Sequence, residues 1–157
     1  MGQQPQTVIA PDNKEDAEIL NDIVAVCRDG EKLYRHVANQ VENQQLRNMF
    51  SDMARVRLRI ARELESEVAL RGQIPKGTGT MVGKITRWYV EARSHFVNFG
   101  DRVFIDQLEE TEKRTLGVLR TAVQKVEDKS LVYRLSSLVA TFQMSHDRMC
   151  AIQKSYR

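Results

Sequence analysis

Apolar residues recur every three or four positions along most of the chain, the period of an amphipathic helix and not the alternation of a strand. Ile19, Ile23, Val26, Gly30, Leu33, Val37 and Val41 form one such stripe. Asp12-Asn13-Lys14-Glu15-Asp16 ahead of it supplies a capping Asx and first-turn acids, so a first helix is expected over about 12–42. After a short turn at Asn43 and Gln44, Leu46, Phe50, Met53, Arg57, Ile60, Leu64 and Val68 trace a second helix over about 44–71, which Gly72 ends. Arg55-Val56-Arg57-Leu58-Arg59-Ile60 alternates locally like a strand. The helical period holds on both sides of it, so the strand reading is rejected.

Gln73-Ile74-Pro75-Lys76-Gly77-Thr78-Gly79 reads as a loop. Beyond it Met81, Ile85, Trp88, Tyr89, Ala92 and Phe96 predict a shorter helix over about 80–98, ending at Gly100. Asp101 then caps a helix over about 101–126, with Ile105, Leu108, Glu112, Thr115 or Leu116, Leu119, Val123 and Val126 in its stripe. Asp128 caps the last, over about 129–156, with Leu131, Leu135, Leu138, Phe142, His146, Met149 and Gln153. The pattern is all-α: two helical hairpins and a connecting helix. At about 1.5 Å per residue the connector spans roughly 28 Å. It can therefore run back along the second helix, leaving the second and third long helices parallel. A four-helix bundle with one such crossover is the ferritin-like arrangement; a plain up-down bundle with a fifth antiparallel helix is its rival.

Four polar residues interrupt or edge the apolar stripes: Glu31, Arg57, Glu112 and His146. Counted from the helix ends in a crossover bundle, they fall on nearly one level. A di-iron bundle requires carboxylates from all four helices and two Glu-x-x-His pairs. This chain has no Glu-x-x-His; His146 is preceded at that spacing by Gln143, and Arg57 brings a fixed positive charge into the space a cation would fill. The expectation is a metal-free buried network of Glu31, Arg57, Glu112 and His146, without cofactor. A single iron, manganese or zinc ion on Glu31, Glu112 and His146 is the alternative.

Composition adds boundaries. The chain has 157 residues, 24 basic and 21 acidic, for a net charge of +3. That is one domain's length, with signs too evenly interleaved to indicate nucleic acid. Arg55, Arg59 and Arg62 share a face, but Glu63, Glu65 and Glu67 follow at once. Residues 1–11 read as a Gln/Pro-rich flexible tail before a single domain at 12–157. No stretch has the length of a membrane span and the start lacks the order of a secretory signal, so the expected location is the cytoplasm. Cys27 and Cys150 form no CxxC pair and are expected as buried reduced thiols, not a disulfide or a zinc site. His95 follows Glu91 by one turn as a solvated pair, His36 reads as exposed, and Trp88 with Tyr89 reads as a docking surface for the connector. No phosphate loop, nucleophile elbow or Cys/His dyad with an orienting third residue is recognisable, so a non-enzymatic role is expected. A homodimer and an interaction module for a partner protein remain open.

The chain resembles a family of uncharacterised bacterial ferritin-like proteins. The resemblance lies in Leu20-Asn21-Asp22-Ile23 and Cys27-Arg28-Asp29-Gly30-Glu31, in Ala61-Arg62-Glu63-Leu64 with Glu67-Val68, in the Gly/Pro loop, in Arg87-Trp88, and in Leu108-Glu109-Glu110-Thr111-Glu112. It covers roughly residues 18–150. It implies a ferritin-like bundle with Glu31 as the family's first-helix acid and, by analogy, a role in stress physiology.

Overall fold

The computed structural model describes residues 11–73 and 100–156. These form four α-helices: α1 (Pro11–Gln40), α2 (Gln44–Leu70), α3 (Asp101–Lys125) and α4 (Lys129–Ser155). Residues 1–10 of the expected tail, the 80–98 helix, His95, Trp88 and Tyr89 lie outside the described residues, while Pro11, expected in the tail, is the first residue of α1. Side chains cap the starts of α2 and α4 but not that of α3: its N-cap is Gly100, and Asp101, expected as the cap, is the first helical residue and turns its carboxylate to the α1–α2 turn instead. Asn43 accepts from the backbone N–H groups of Gln45 and Leu46, and Asp128 from those of Ser130 and Leu131, which starts α2 and α4. Gly72, at φ 73°, ends α2 in the left-handed conformation, its N–H donating to Ala69 and that of Gln73 to Val68.

The contacts between helix ends fix the topology. Arg71, just past α2, pairs with Asp128 at the start of α4, while Asp101 at the start of α3 holds the α1–α2 turn. Residues 71 and 101 are therefore at opposite ends of the bundle. α2 thus runs parallel to α3, and α1 runs parallel to α4. α1 packs along α2 and α3 along α4, with α1 also meeting α3. The up-down alternative is excluded.

The two hairpins are stitched together by a reciprocal device. Asp16 of α1 accepts from the backbone N–H groups of Glu127 and Asp128, both at 3.0 Å, in the α3–α4 turn. Asp101 of α3 accepts from Glu42 and Asn43, at 2.9 and 3.1 Å, in the α1–α2 turn. The spacing from Asp16 to Asp101 equals that from Val41 to Val126, Asn43 to Asp128 and Leu46 to Leu131. The hairpins thus share one register, with Val-Glu-Asn in one turn and Val-Glu-Asp in the other. Each aspartate satisfies amides that the adjoining helix start leaves without intrahelical partners. Asp16 is 1% exposed, whereas Asp101 is only half-buried. Asp16→Ala is accordingly expected to lower stability by about 2 kcal/mol in urea unfolding, and Asp101→Ala by about half as much.

The core is divided. One apolar cluster, including Leu33, Val37, Phe50, Phe104 and Leu108, fills the half nearer the α1–α2 turn. A second, including Leu20, Ile23, Leu64, Leu119 and Leu131, fills the half nearer the α3–α4 turn. Between them lie buried polar side chains, among them Arg57, Thr111, Glu112 and Thr115.

Candidate functional site

The polar layer is built around one ion pair. Arg57 of α2 and Glu112 of α3 occupy inward positions of helices on opposite sides of the bundle axis, and are 3% and 1% exposed. Arg57 Nη2 donates to both carboxylate oxygens of Glu112 at 2.6 Å. The Tyr34 hydroxyl, from α1, donates to Glu112 Oε1. From α4, the face of Phe142 covers the guanidinium, with the Arg57 Cζ 3.4 Å from the ring centroid; the Tyr34 ring lies at 6.0 Å. All four helices therefore contribute one side chain each: a hydroxyl, a cation, an anion and an aromatic face.

Burial lowers the guanidinium's hold on its proton. The Glu112 carboxylate, with Tyr34 and Cys27 beside it, more than reverses that, and the Arg57 pKa lies above its ordinary value. Cys27 borders the layer, and burial pushes its thiol up to about 12, Arg57 opposing and Glu112 reinforcing the shift. The thiol is a neutral neighbour at physiological pH, not a nucleophile. The hairpin register extends into this layer, since Cys27 and Glu112, like Arg57 and Phe142, are separated by the same spacing as the two turns. Equivalent positions of the two hairpins thus carry complementary chemistry.

Arg57 and Glu112 meet as the sequence suggested; the other two expected members do not join them. Glu31 is buried on α1 but pairs with Arg35 one turn further along its own helix. His146 lies at the α3–α4 seam, with 18% of its side chain exposed, because its position in the α4 stripe is rotated away from the axis that Phe142 reaches. The three-residue metal set of Glu31, Glu112 and His146 is therefore not assembled. Tyr34 and Phe142 take the vacant places in the layer. Both are large apolar side chains, and only their neighbours reveal that one donates a hydrogen bond and the other receives a cation.

His146 has acquired a different environment. Its Nε2 lies 2.8 Å from Glu109 Oε1 of α3 and 3.5 Å from the Cys150 Sγ one turn along α4. Cys150 Sγ is 3.7 Å from the same Glu109 oxygen. Burial, then the Glu109 charge, raises the Cys150 pKa. Among the described residues these three form a group of potential metal ligands, all partly buried. In the sequence the position three residues before His146 holds Gln143, an amide and not an acid, whereas Cys150 four residues after it stands at an equally good helical spacing for a second ligand.

A di-iron centre does not fit the bundle axis. Among the described residues the layer offers one carboxylate, already engaged at both oxygens by a permanent cation, and the α4 position above it is a phenyl ring. Two ferrous ions require several anionic oxygens and imidazoles converging on an uncharged space. No helix among the described residues is long and apolar enough to cross a membrane.

Residues 15–132 match the sequence family described as a domain of unknown function, DUF2383. The chain belongs to that family. This DUF2383 protein has no significant match among curated proteins. Among solved structures it is similar to a mutant of Dps1 from Mycobacterium smegmatis, with a TM-score of 0.71 at 16% identity, over 92% of this chain and 98% of that one. At such identity the likeness establishes the fold. The DUF2383 chain is a ferritin-like four-helix bundle, in keeping with the order and directions of its four described helices.

Proposed function

We propose that this protein is a non-enzymatic ferritin-like bundle whose centre is a metal-free charge lock between α2 and α3. The observation that carries the reading is the Arg57 guanidinium on the bundle axis, hydrogen-bonded to both oxygens of Glu112 and covered by Phe142. Guanidinium stays protonated under all physiological conditions, so the positive charge that a metal would supply is built into the chain. The lock ties two helices that belong to different hairpins. Its contribution is to the pairing of the hairpins, not to substrate chemistry. The free thiols Cys27 and Cys150, one in each hairpin, suit a reducing compartment such as the cytoplasm.

The test is aerobic titration of the full chain with ferrous iron, followed by calorimetry and by the absorbance of ferric product. The expected result is no oxidation above the protein-free rate and no iron uptake that depends on Glu112. Binding of two ferrous ions per chain that is abolished in Glu112→Gln and retained in Cys150→Ser would overturn the reading.

A further inference from the structure

The cluster at the α3–α4 seam is separate from the central lock. Its geometry distinguishes two kinds of chemistry. In a nucleophile–base–orienter relay, the thiol and the carboxylate engage different nitrogens of the imidazole, so that a proton can be taken at one and held at the other. Here Glu109 Oε1 and Cys150 Sγ both approach the same atom, His146 Nε2. One nitrogen cannot serve both roles. Three donor atoms converging on a common point instead describe the face of a coordination polyhedron.

The separations agree with that description. Zinc bonds of about 2.0–2.1 Å to nitrogen or oxygen and about 2.3 Å to sulfur, at tetrahedral angles, set the donors about 3.3 Å apart for N and O and about 3.6 Å apart for S with either. The two separations to sulfur are 3.5 and 3.7 Å. The 2.8 Å separation of nitrogen and oxygen is a hydrogen bond, which a bound ion would replace by opening it about half an ångström. The site is also built to receive the ligands: His146 and Cys150 stand one turn apart on α4, and Glu109 faces them from α3.

We propose that Glu109, His146 and Cys150 bind one divalent cation of the zinc type at the α3–α4 seam. A carboxylate and a thiolate neutralise the two positive charges, and the imidazole donates its Nε2 lone pair with the proton on Nδ1. The mixed oxygen, nitrogen and sulfur set selects a borderline ion over magnesium or calcium, which take oxygen ligands. Binding breaks the Cys150 S–H bond and releases that proton to solvent. The imidazole proton that Nε2 donates to Glu109 in the free protein moves through solvent to Nδ1 as the three metal–ligand bonds form, for a net release of one proton per ion from a neutral imidazole. Partial exposure of His146 and Glu109 gives the ion access and leaves a fourth position for water.

Titration of the full chain with Zn²⁺, and with Co²⁺ as a spectroscopic probe, tests this. The expected result is one ion per chain, one proton released, and a thiolate-to-cobalt charge-transfer band. That band should disappear in Cys150→Ser and persist in Cys27→Ser. Zinc affinity should fall in His146→Ala by more than the roughly 10- to 100-fold that loss of an outer-shell partner costs. Should Cys150→Ser misfold, alkylation of the wild-type thiol replaces it: zinc should protect Cys150, and Glu109→Gln should weaken that protection. Absence of saturable binding, a cobalt spectrum unchanged in Cys150→Ser, or a thiol that zinc leaves unprotected would overturn the proposal. Because the readouts follow Cys150 and not Glu112, their failure is distinct from failure of the central charge lock.

Discussion

Replacing Glu112 with Leu is expected to cost about 3 to 5 kcal/mol of folding stability, the range for a buried pair that loses one partner. For a chain of this size that corresponds to a fall in melting temperature of roughly 10 °C, at about 2–4 °C per kcal/mol. The size of the effect follows from what remains. Arg57 is 3% exposed, and no other acid among the described residues pairs with it. Its charge cannot be discharged by losing a proton, so the guanidinium must stay buried without a counterion or drag the centre of α2 toward water. The double variant Arg57→Met/Glu112→Leu should recover most of the loss, since apolar side chains of similar volume replace a buried pair at little net cost. Urea unfolding of the two singles and the double closes the cycle, and the expected coupling is of the same order as the single losses. Additive losses would mean that the pair acts as two independent polar groups.

What the sequence could convey about this layer was its membership by period, not by rotation. Arg57 and Glu112 interrupt otherwise apolar stripes, and a charged residue at such a position has to find a counterion; the pair was legible for that reason. The topology was legible too, because the distance between the end of α2 and Asp101 needed a crossing segment. Glu31 and His146 failed on a finer point. A position at the edge of a stripe is a few tens of degrees from the axis, and side-chain length and the nearest opposite charge then decide where it goes. Arg35 one turn away captures Glu31, and Glu109 across the seam captures His146. Tyr34 and Phe142 could not be read as members of a polar layer, since their role depends on which charge lies against the hydroxyl or the ring face. The reciprocal Asp16 and Asp101 bridges were present as equal spacings along the chain but become meaningful only when both turns are seen from the opposite hairpin.

Phe142 offers the second large effect. Phe142→Ala is expected to lower stability by about 3 to 5 kcal/mol, as truncation of a fully buried aromatic does, and the reasons are separable. Phe142 is 0% exposed and belongs to the apolar cluster nearer the α3–α4 turn, so its removal leaves a void among Leu135, Leu138 and their neighbours. It also removes the aromatic face from a guanidinium 3.4 Å away, an attraction of about 2 kcal/mol in a desolvated setting. The void would open beside an existing cavity of about 220 Å³ between α2 and α4, which Arg57 itself lines together with Val56, Thr141 and Ser145. Water entering there would reach a guanidinium whose Nη1 has no hydrogen-bond partner among the described residues. Solvation of Nη1 should then offset part of the loss. Phe142→Leu isolates the electrostatic part: it retains most of the apolar volume but has no quadrupole, and its expected cost is about 1 to 2 kcal/mol. The decisive comparison repeats Phe142→Leu in the Arg57→Met/Glu112→Leu background. With no cation beneath the ring, the substitution should cost measurably less in urea unfolding than it does in the wild-type protein. An equal cost in both backgrounds would show that the ring serves only as filling, and that Glu112 alone secures the guanidinium.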